Sequence, residues 1–399
     1  MKRPYLIHIG ALVLTKTADG LIDPKLVLAW LLNAIGAPGY IIGSLVPVRE
    51  AGSLLPQLFL APQIEARRHR KMFWIGGSAI QGLAAIAIAA TAFFLSGAIA
   101  GWIILLCLAI LAIARAACST SYKDILARTI EKGKRGKVSG TAGTISASLV
   151  FVFAILLSFG IWPRDPAAIS FAVFLAGILW FAAAALFGRL SEPAADTETA
   201  DHGLADLVRP LFDDRELQIY IATRALLIST ALAPAFLVML GSRGTSGPGN
   251  LGVLLIASSL AAILSSYLWG ALSDRSSRKT LIVASGAAAV TYFAASGVGW
   301  LGLDGQTAYA IPALIFLAQL AYHGARAGRK THLTDMDADG RTAVYTALSN
   351  SVIGVMLLLG GLLGLVADLF GTAVVLAILG SLSSFAVFTA WQLSEVQAD

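Results

Sequence analysis

Apolar blocks and short polar breaks alternate along the whole chain. Many blocks approach the ~20 residues with which a helix crosses a hydrocarbon layer about 30 Å thick. The breaks carry charge, Gly or Pro, and setting blocks against breaks predicts twelve spans. The first six are 28–47, 51–65, 73–96, 101–121, 139–161 and 166–188. The second six are 217–241, 250–272, 280–302, 307–325, 343–366 and 370–392. The fold class expected is an all-α membrane protein, with twelve transmembrane helices gathered as two six-helix bundles.

One block is too long for a single crossing. Residues 26 to 64 would make about 58 Å of helix at 1.5 Å per residue, roughly twice the hydrocarbon thickness. The chain is therefore expected to cross twice and turn near the middle, where Pro47, Arg49, Glu50 and Gly52 fall together. That places Arg49 and Glu50 at one membrane face, as an outer-mouth gate, a coupling pair or a plain interfacial hairpin. The earlier apolar stretch, 5–14, is short and runs into Lys16, Asp19 and Asp23 without a small-x-small cleavage site. It reads as an interfacial lead into the first span, not as a signal peptide.

Composition agrees with burial in lipid: 57% of residues are hydrophobic and 13% charged, against about 25% charged in soluble chains. The 29 Lys and Arg divide unevenly, 26 on the side of the termini and even-numbered loops and 3 on the other. By the positive-inside rule both termini are cytoplasmic, in the plasma membrane. The net charge of +6 thus reports orientation, and no nucleic-acid partner is implied. Cys107 and Cys118 lie in or beside one span and read as packing residues. No His/Cys metal spacing and no nucleophile–base pair occurs, so no metal, no cofactor and no enzyme activity is expected.

The chain also repeats itself at an offset near half its length. "RRHRK" at 67–71 falls opposite "RSSRK" at 275–279, and "KRGKVSGTAGTIS" at 134–146 falls opposite "GRTAVYTALSNS" at 340–351. The polar, largely acidic segment 191–216 separates the copies. It reads as a cytoplasmic linker between an N-terminal bundle, 1–190, and a C-terminal bundle, 217–399. Two such halves with a site between them, near the midplane, match the general plan of alternating-access membrane proteins.

Within the second copy, "GALSDRSSRK" at 270–279 carries Gly270, Leu272, Asp274, Arg275, Arg278 and Lys279. It resembles the G-x-L-x-D-R-x-x-R-K loop of the major facilitator superfamily. Physically, Gly270 would let two helices approach, Asp274 would cap the next helix, and the basic residues would pair across a cytoplasmic gate. In that superfamily the loop helps hold an outward-open state. The first-half copy, "PQIEARRHRK", is degenerate, with Pro62 for the glycine and Ala66 for the aspartate. A second stretch, 115–140, is similar to the superfamily's fourth-span arginine pattern, with Arg115 in the arginine position. Cys118 and Ser119 stand where Gln-Gly is usual, a departure that weighs against proton coupling.

The resemblance implies that spans one, four, seven and ten line a cavity. Candidates there are Asn33 and Tyr40 around the "GAPG" at 36–39, Arg115, Arg224, Gln319, Tyr322, His323 and Asn350. The Gly and Pro of "GAPG" can open the helix towards a cavity or simply kink it. Arg115 and Arg224 either snorkel to headgroups or point inward and favour an anionic solute. His323 is the one histidine within or beside a predicted span, and is read as a structural or a proton-coupling residue. Span centres are expected to hold no Asp or Glu, which disfavours a midplane carboxylate. The resemblance implies a monomeric secondary or facilitative transporter of a small organic solute, with protons left open as coupling ion. Export of a hydrophobic or anionic metabolite is the leaning. The alternative is a non-transporting assembly factor, or a pigment or lipid chaperone, of the same fold.

Overall fold

The computed structural model describes residues 2–131, 134–194, 209–241, 251–302, 310–336 and 342–397, and among these there is no strand. The first crossing is made of α1 (Lys2–Leu21) and α2 (Val27–Ala34). Between them the ladder breaks at Asp23-Pro24. Pro24 has no N–H to give, and the Asp23 carboxylate accepts from the backbone N–H of Lys25 and of Leu26, each at 2.9 Å. That satisfies two backbone donors of the turn leading into α2. A turn at 36–38 follows, in which Gly36 has φ +77°. Pro38, at φ −62°, sets the entry to the second crossing, α3 (Gly39–Leu54) and α4 (Gln57–Glu65).

This overturns the expected layout of the first 65 residues. The turn lies at 36–38, so Pro47 is inside α3 and Arg49 and Glu50 lie mid-helix instead of at a mouth. "GAPG" is the connection between two crossings and not a kink within one. Span centres do hold carboxylates, since Asp19 lies in α1 and Glu50 in α3. The misreading has a physical cause: Lys16, Asp19, Asp23 and Lys25 make the first crossing look like a polar flank, because hydropathy ignores charges neutralised inside the protein.

The remaining crossings are α5 (Lys71–Phe94), α6 (Gly97–Thr129), α7 (Arg135–Ser158) and α8 (Pro166–Gly188). After the short α9 (Pro210–Asp213) come α10 (Arg215–Leu226) and α11 (Ile228–Gly241), which form one interrupted crossing. Then follow α12 (Leu251–Arg275), α13 (Ser277–Trp300), α14 (Ala310–Asp335), α15 (Thr342–Gly360) with α16 (Leu363–Phe370), and α17 (Thr372–Gln392). Nine helices among the described residues are long and apolar enough to cross a membrane. The other three columns, α1–α2, α3–α4 and α14, carry much of the buried charge.

In the first half α5 packs on α6 and α8, and α1 on α7 and α8; in the second, α13 packs on α14 and α17, and α12 on α14. The halves meet along α3 against α15 and α16, and along α7 against α12. The first seam needs glycine: a Cβ on Gly43 would lie 2.7 Å from the Gly364 Cα, and one on Gly364 would lie 2.7 Å from the Tyr40 Cα. Across it the Tyr40 backbone N–H donates to the Asp368 carboxylate at 2.8 Å. At the second seam, a Cβ on Gly252 would lie 2.6 Å from the Ser158 backbone nitrogen.

The loop motif at 270–279 is built differently from the expectation. A Cβ on Gly270 would meet nothing within 4 Å, so no close approach occurs there. The cap of α13 is Ser276, whose Oγ accepts from the Lys279 N–H at 3.0 Å, while Asp274 is exposed. Among the described residues Asp274, Arg275, Arg278 and Lys279 enter no ion pair.

Candidate functional site

Charged side chains from five crossings, α1–α2, α3, α6, α10 and α14, gather between the halves. In the first half the Asp19 carboxylate of α1 accepts from Arg49 of α3 at 3.1 Å through Oδ1, and from Arg115 of α6 through Oδ2. One carboxylate thus neutralises two guanidiniums and ties three crossings together. Lys16, a turn before Asp19, donates to the Ser139 carbonyl at 3.3 Å. Glu50, half-buried, makes no side-chain hydrogen bond or ion pair among the described residues, and lies in the field of Lys25, Arg49, Arg329 and Arg326.

The break in the first crossing places Lys25 at the interface. Its side chain is buried, and its ammonium sits 3.5 Å from the centroid of the Tyr322 ring in the other half. A cation over a desolvated aromatic face is stabilised by about 2 kcal/mol. Tyr322 belongs to a face of α14 that also presents Gln319, Arg326 and Arg329, residues three and four apart. Gln319 is buried, Arg329 half-buried and Arg326 exposed. His323 lies beside them, its ring 5.5 Å from that of Tyr322. It is not alone among histidines: His8 in α1 bonds Tyr122 and Thr129, and His332 in α14 bonds Ser277.

On α10, one turn before the interruption at Leu227, Arg224 donates to Ser349 Oγ at 2.6 Å and to Asn350 Oδ1 at 2.8 Å, both on α15. The break in the seventh crossing mirrors that in the first, so each half carries a charged residue just before a helix interruption.

The structure therefore brings together Arg49, Glu50, Arg115, Arg224, Gln319, Tyr322, His323 and Asn350. Asn33 and Tyr40 stand apart, at the end where α2 turns into α3. The Asn33 carbonyl accepts from Gly36 N–H at 3.1 Å, and the Tyr40 ring rests 6.0 Å from Trp102. Gly270, Asp274 and Arg275, in the last turns of α12, and Arg278 and Lys279, in the first turn of α13, lie at the opposite end. Asp19, Asp23, Lys25, Arg326 and Arg329 were missed by sequence reasoning. A usable signal was present in Asp23-Pro24-Lys25, since a discontinuous helix at membrane depth is how such folds expose backbone and charge.

No protein-family profile and no curated protein matches the sequence. Solved structures do match the fold. A mutant form of the nucleoside transporter NupG aligns with TM-score 0.74 and 12% identity over 98% of this chain and 100% of its own. A D-xylose-proton symporter aligns with TM-score 0.74 and 11% identity over 98% of each chain. The chain has the major facilitator fold. A POT family transporter, solved with a thioalcohol-conjugated peptide, also aligns, with TM-score 0.71 and 11% identity over 97% of this chain and 95% of its own. At such identities the likeness is one of the major facilitator fold, and the site chemistry is this chain's own.

Proposed function

We propose that the protein is a secondary transporter that moves a small organic solute across a membrane by alternating access. The observation that carries this reading is the pairing of charged residues, contributed by both halves at mid-helix depth, with an interface that the halves share. Charges within a bilayer are costly and mark solute or ion pathways. The relatives in fold support it, being named as transporters of nucleosides, of D-xylose with protons, and of a POT family. The charged lining favours a polar cargo over a hydrophobic one, and a pigment or lipid chaperone has no need of it. Glu50, without a direct partner, is the group we propose for proton coupling, should flux prove pH-dependent.

The basic residues support cytoplasmic termini in the plasma membrane. The seams at Tyr40–Asp368, Gly43–Gly364 and Ser158–Gly252 then close the outer face, and we take the state described as facing the cytoplasm, in a monomer. Reconstituting the full chain in proteoliposomes tests the function, using counterflow of nucleosides, pentoses, short peptides and organic anions. Uptake of one class is the expected result. No flux of any of them under a solute or proton gradient would discard the carrier reading in favour of an assembly or chaperone role.

A further inference from the structure

Building on the carrier reading, we propose that Arg224 is the receptor for an anionic group on the solute, which assigns the cargo to small organic anions. Arg224 is 8% exposed. Two of its nitrogens are fixed by the Ser349 hydroxyl at 2.6 Å and the Asn350 amide oxygen at 2.8 Å. Its Nε is buried and makes no hydrogen bond. Both acceptors are neutral, so the guanidinium is held in place without being neutralised.

Several arginines elsewhere are neutralised by carboxylates, whereas Arg135 and Arg164, near helix ends, are held by backbone carbonyls. Arg49 and Arg115 share Asp19, Arg70 pairs with Asp124, and Arg128 pairs with Asp124 and Glu192. Among the described residues no carboxylate stands within ion-pair distance of Arg224, nor of Arg326 or Arg329. Arg329 adds its field to that of Arg224, and the groups that favour its charge are Tyr220 beside it and Glu50 in the other half. An unpaired charge taken out of water is strongly unfavourable. Of the three only Arg224 is buried, so it bears that cost, and a buried guanidinium held by neutral groups alone is arranged for an anion that arrives from outside the chain. The planar fork, with N–H groups still free, suits the two oxygens of a carboxylate or phosphate. Arg115 does not share this role, because Asp19 already satisfies it.

The test uses the full-length protein purified in detergent, with melting temperature followed against benzoate, succinate and inorganic phosphate at matched ionic strength. Uridine and xylose serve as neutral probes. At least one anion is expected to raise the melting temperature of the wild type. That shift is lost in Arg224→Gln and survives in Arg164→Gln, a control in the α7–α8 loop. Should Arg224→Gln fail to fold, Arg224→Lys keeps the charge without the fork, and its apparent affinity for the anion falls about tenfold or more. The inference is overturned if no anion shifts the wild type, or if the shift is undiminished in both Arg224 variants. Neutral-solute flux undiminished in Arg224→Gln would overturn it while leaving the carrier reading intact. Arg224-dependent anion binding without flux of any solute would do the reverse.

Discussion

Asp19 shows how much a single carboxylate settles at the centre of this protein. It holds Arg49 and Arg115 at once, and both would otherwise sit deep in the membrane without a counter-charge. Breaking a fully buried pair costs about 3–5 kcal/mol. Here the three side chains keep 13–33% of their exposure, so water screens part of that loss. Asp19→Asn is expected to destabilise the protein by about 2 kcal/mol, read as a lower melting temperature in detergent. Adding Arg115→Gln should return part of the loss, since only one guanidinium then lacks a partner. If the double variant melts below the single one, Asp19 acts through something other than charge. The same residue explains where the sequence was hard to read. A lone Asp in an apolar run is costly unless paired, and its partners lie thirty and ninety-six residues further on. Arg115 and Arg224 were candidates because the resemblance places their spans around a cavity, with snorkelling left open, and which of them was already neutralised was not legible.

At the scale of the helix, legibility followed local signals. The eighth helix was read as 166–188 and is Pro166–Gly188, because Asp165 caps it and Pro166 opens it, both visible in sequence. The first two crossings were misplaced because their punctuation is unusual: a buried Asp-Pro break interrupts one, and Pro47 lies harmlessly inside the other. The seam between α3 and α16 depends on a contact no local pattern encodes. Asp368, near the end of α16, accepts the Tyr40 N–H at the start of α3, a helix capped by the opposite half of the molecule. Losing an N-terminal cap costs about 0.5–2 kcal/mol, and here that loss falls on one conformation only. Asp368→Ala should therefore favour the state in which this end is open. A cysteine placed at Ser44, half-buried in the seam, should then react faster with an impermeant maleimide. An unchanged rate would mean that the glycine contacts alone hold the ends together.

For the whole molecule, the glycine-mediated backbone approaches between the first and second halves of the chain lie at the end away from the termini. Closure there rests on the absence of side chains at Gly43 and Gly364, where neighbouring backbone atoms would stand 2.7 Å from an added Cβ. Gly364→Leu leaves no room for α3 and α16 to meet, and packed interfaces respond to such overfilling by switching arrangement. If the halves rock as rigid bodies, separation at one end brings the other together. Spin labels at Ile99 and Phe370, both exposed at the turn end, should move apart in Gly364→Leu. Labels at His69 and Lys279, exposed at the terminal end, should move closer. The measurement needs Cys107 and Cys118 replaced first, since both are free thiols. Opposite changes in the two distances are the signature of one hinge between two bodies. A change at the turn end with the terminal distance unaltered would mean that α3 and α16 bend locally, and the two-body mechanism would fall with it.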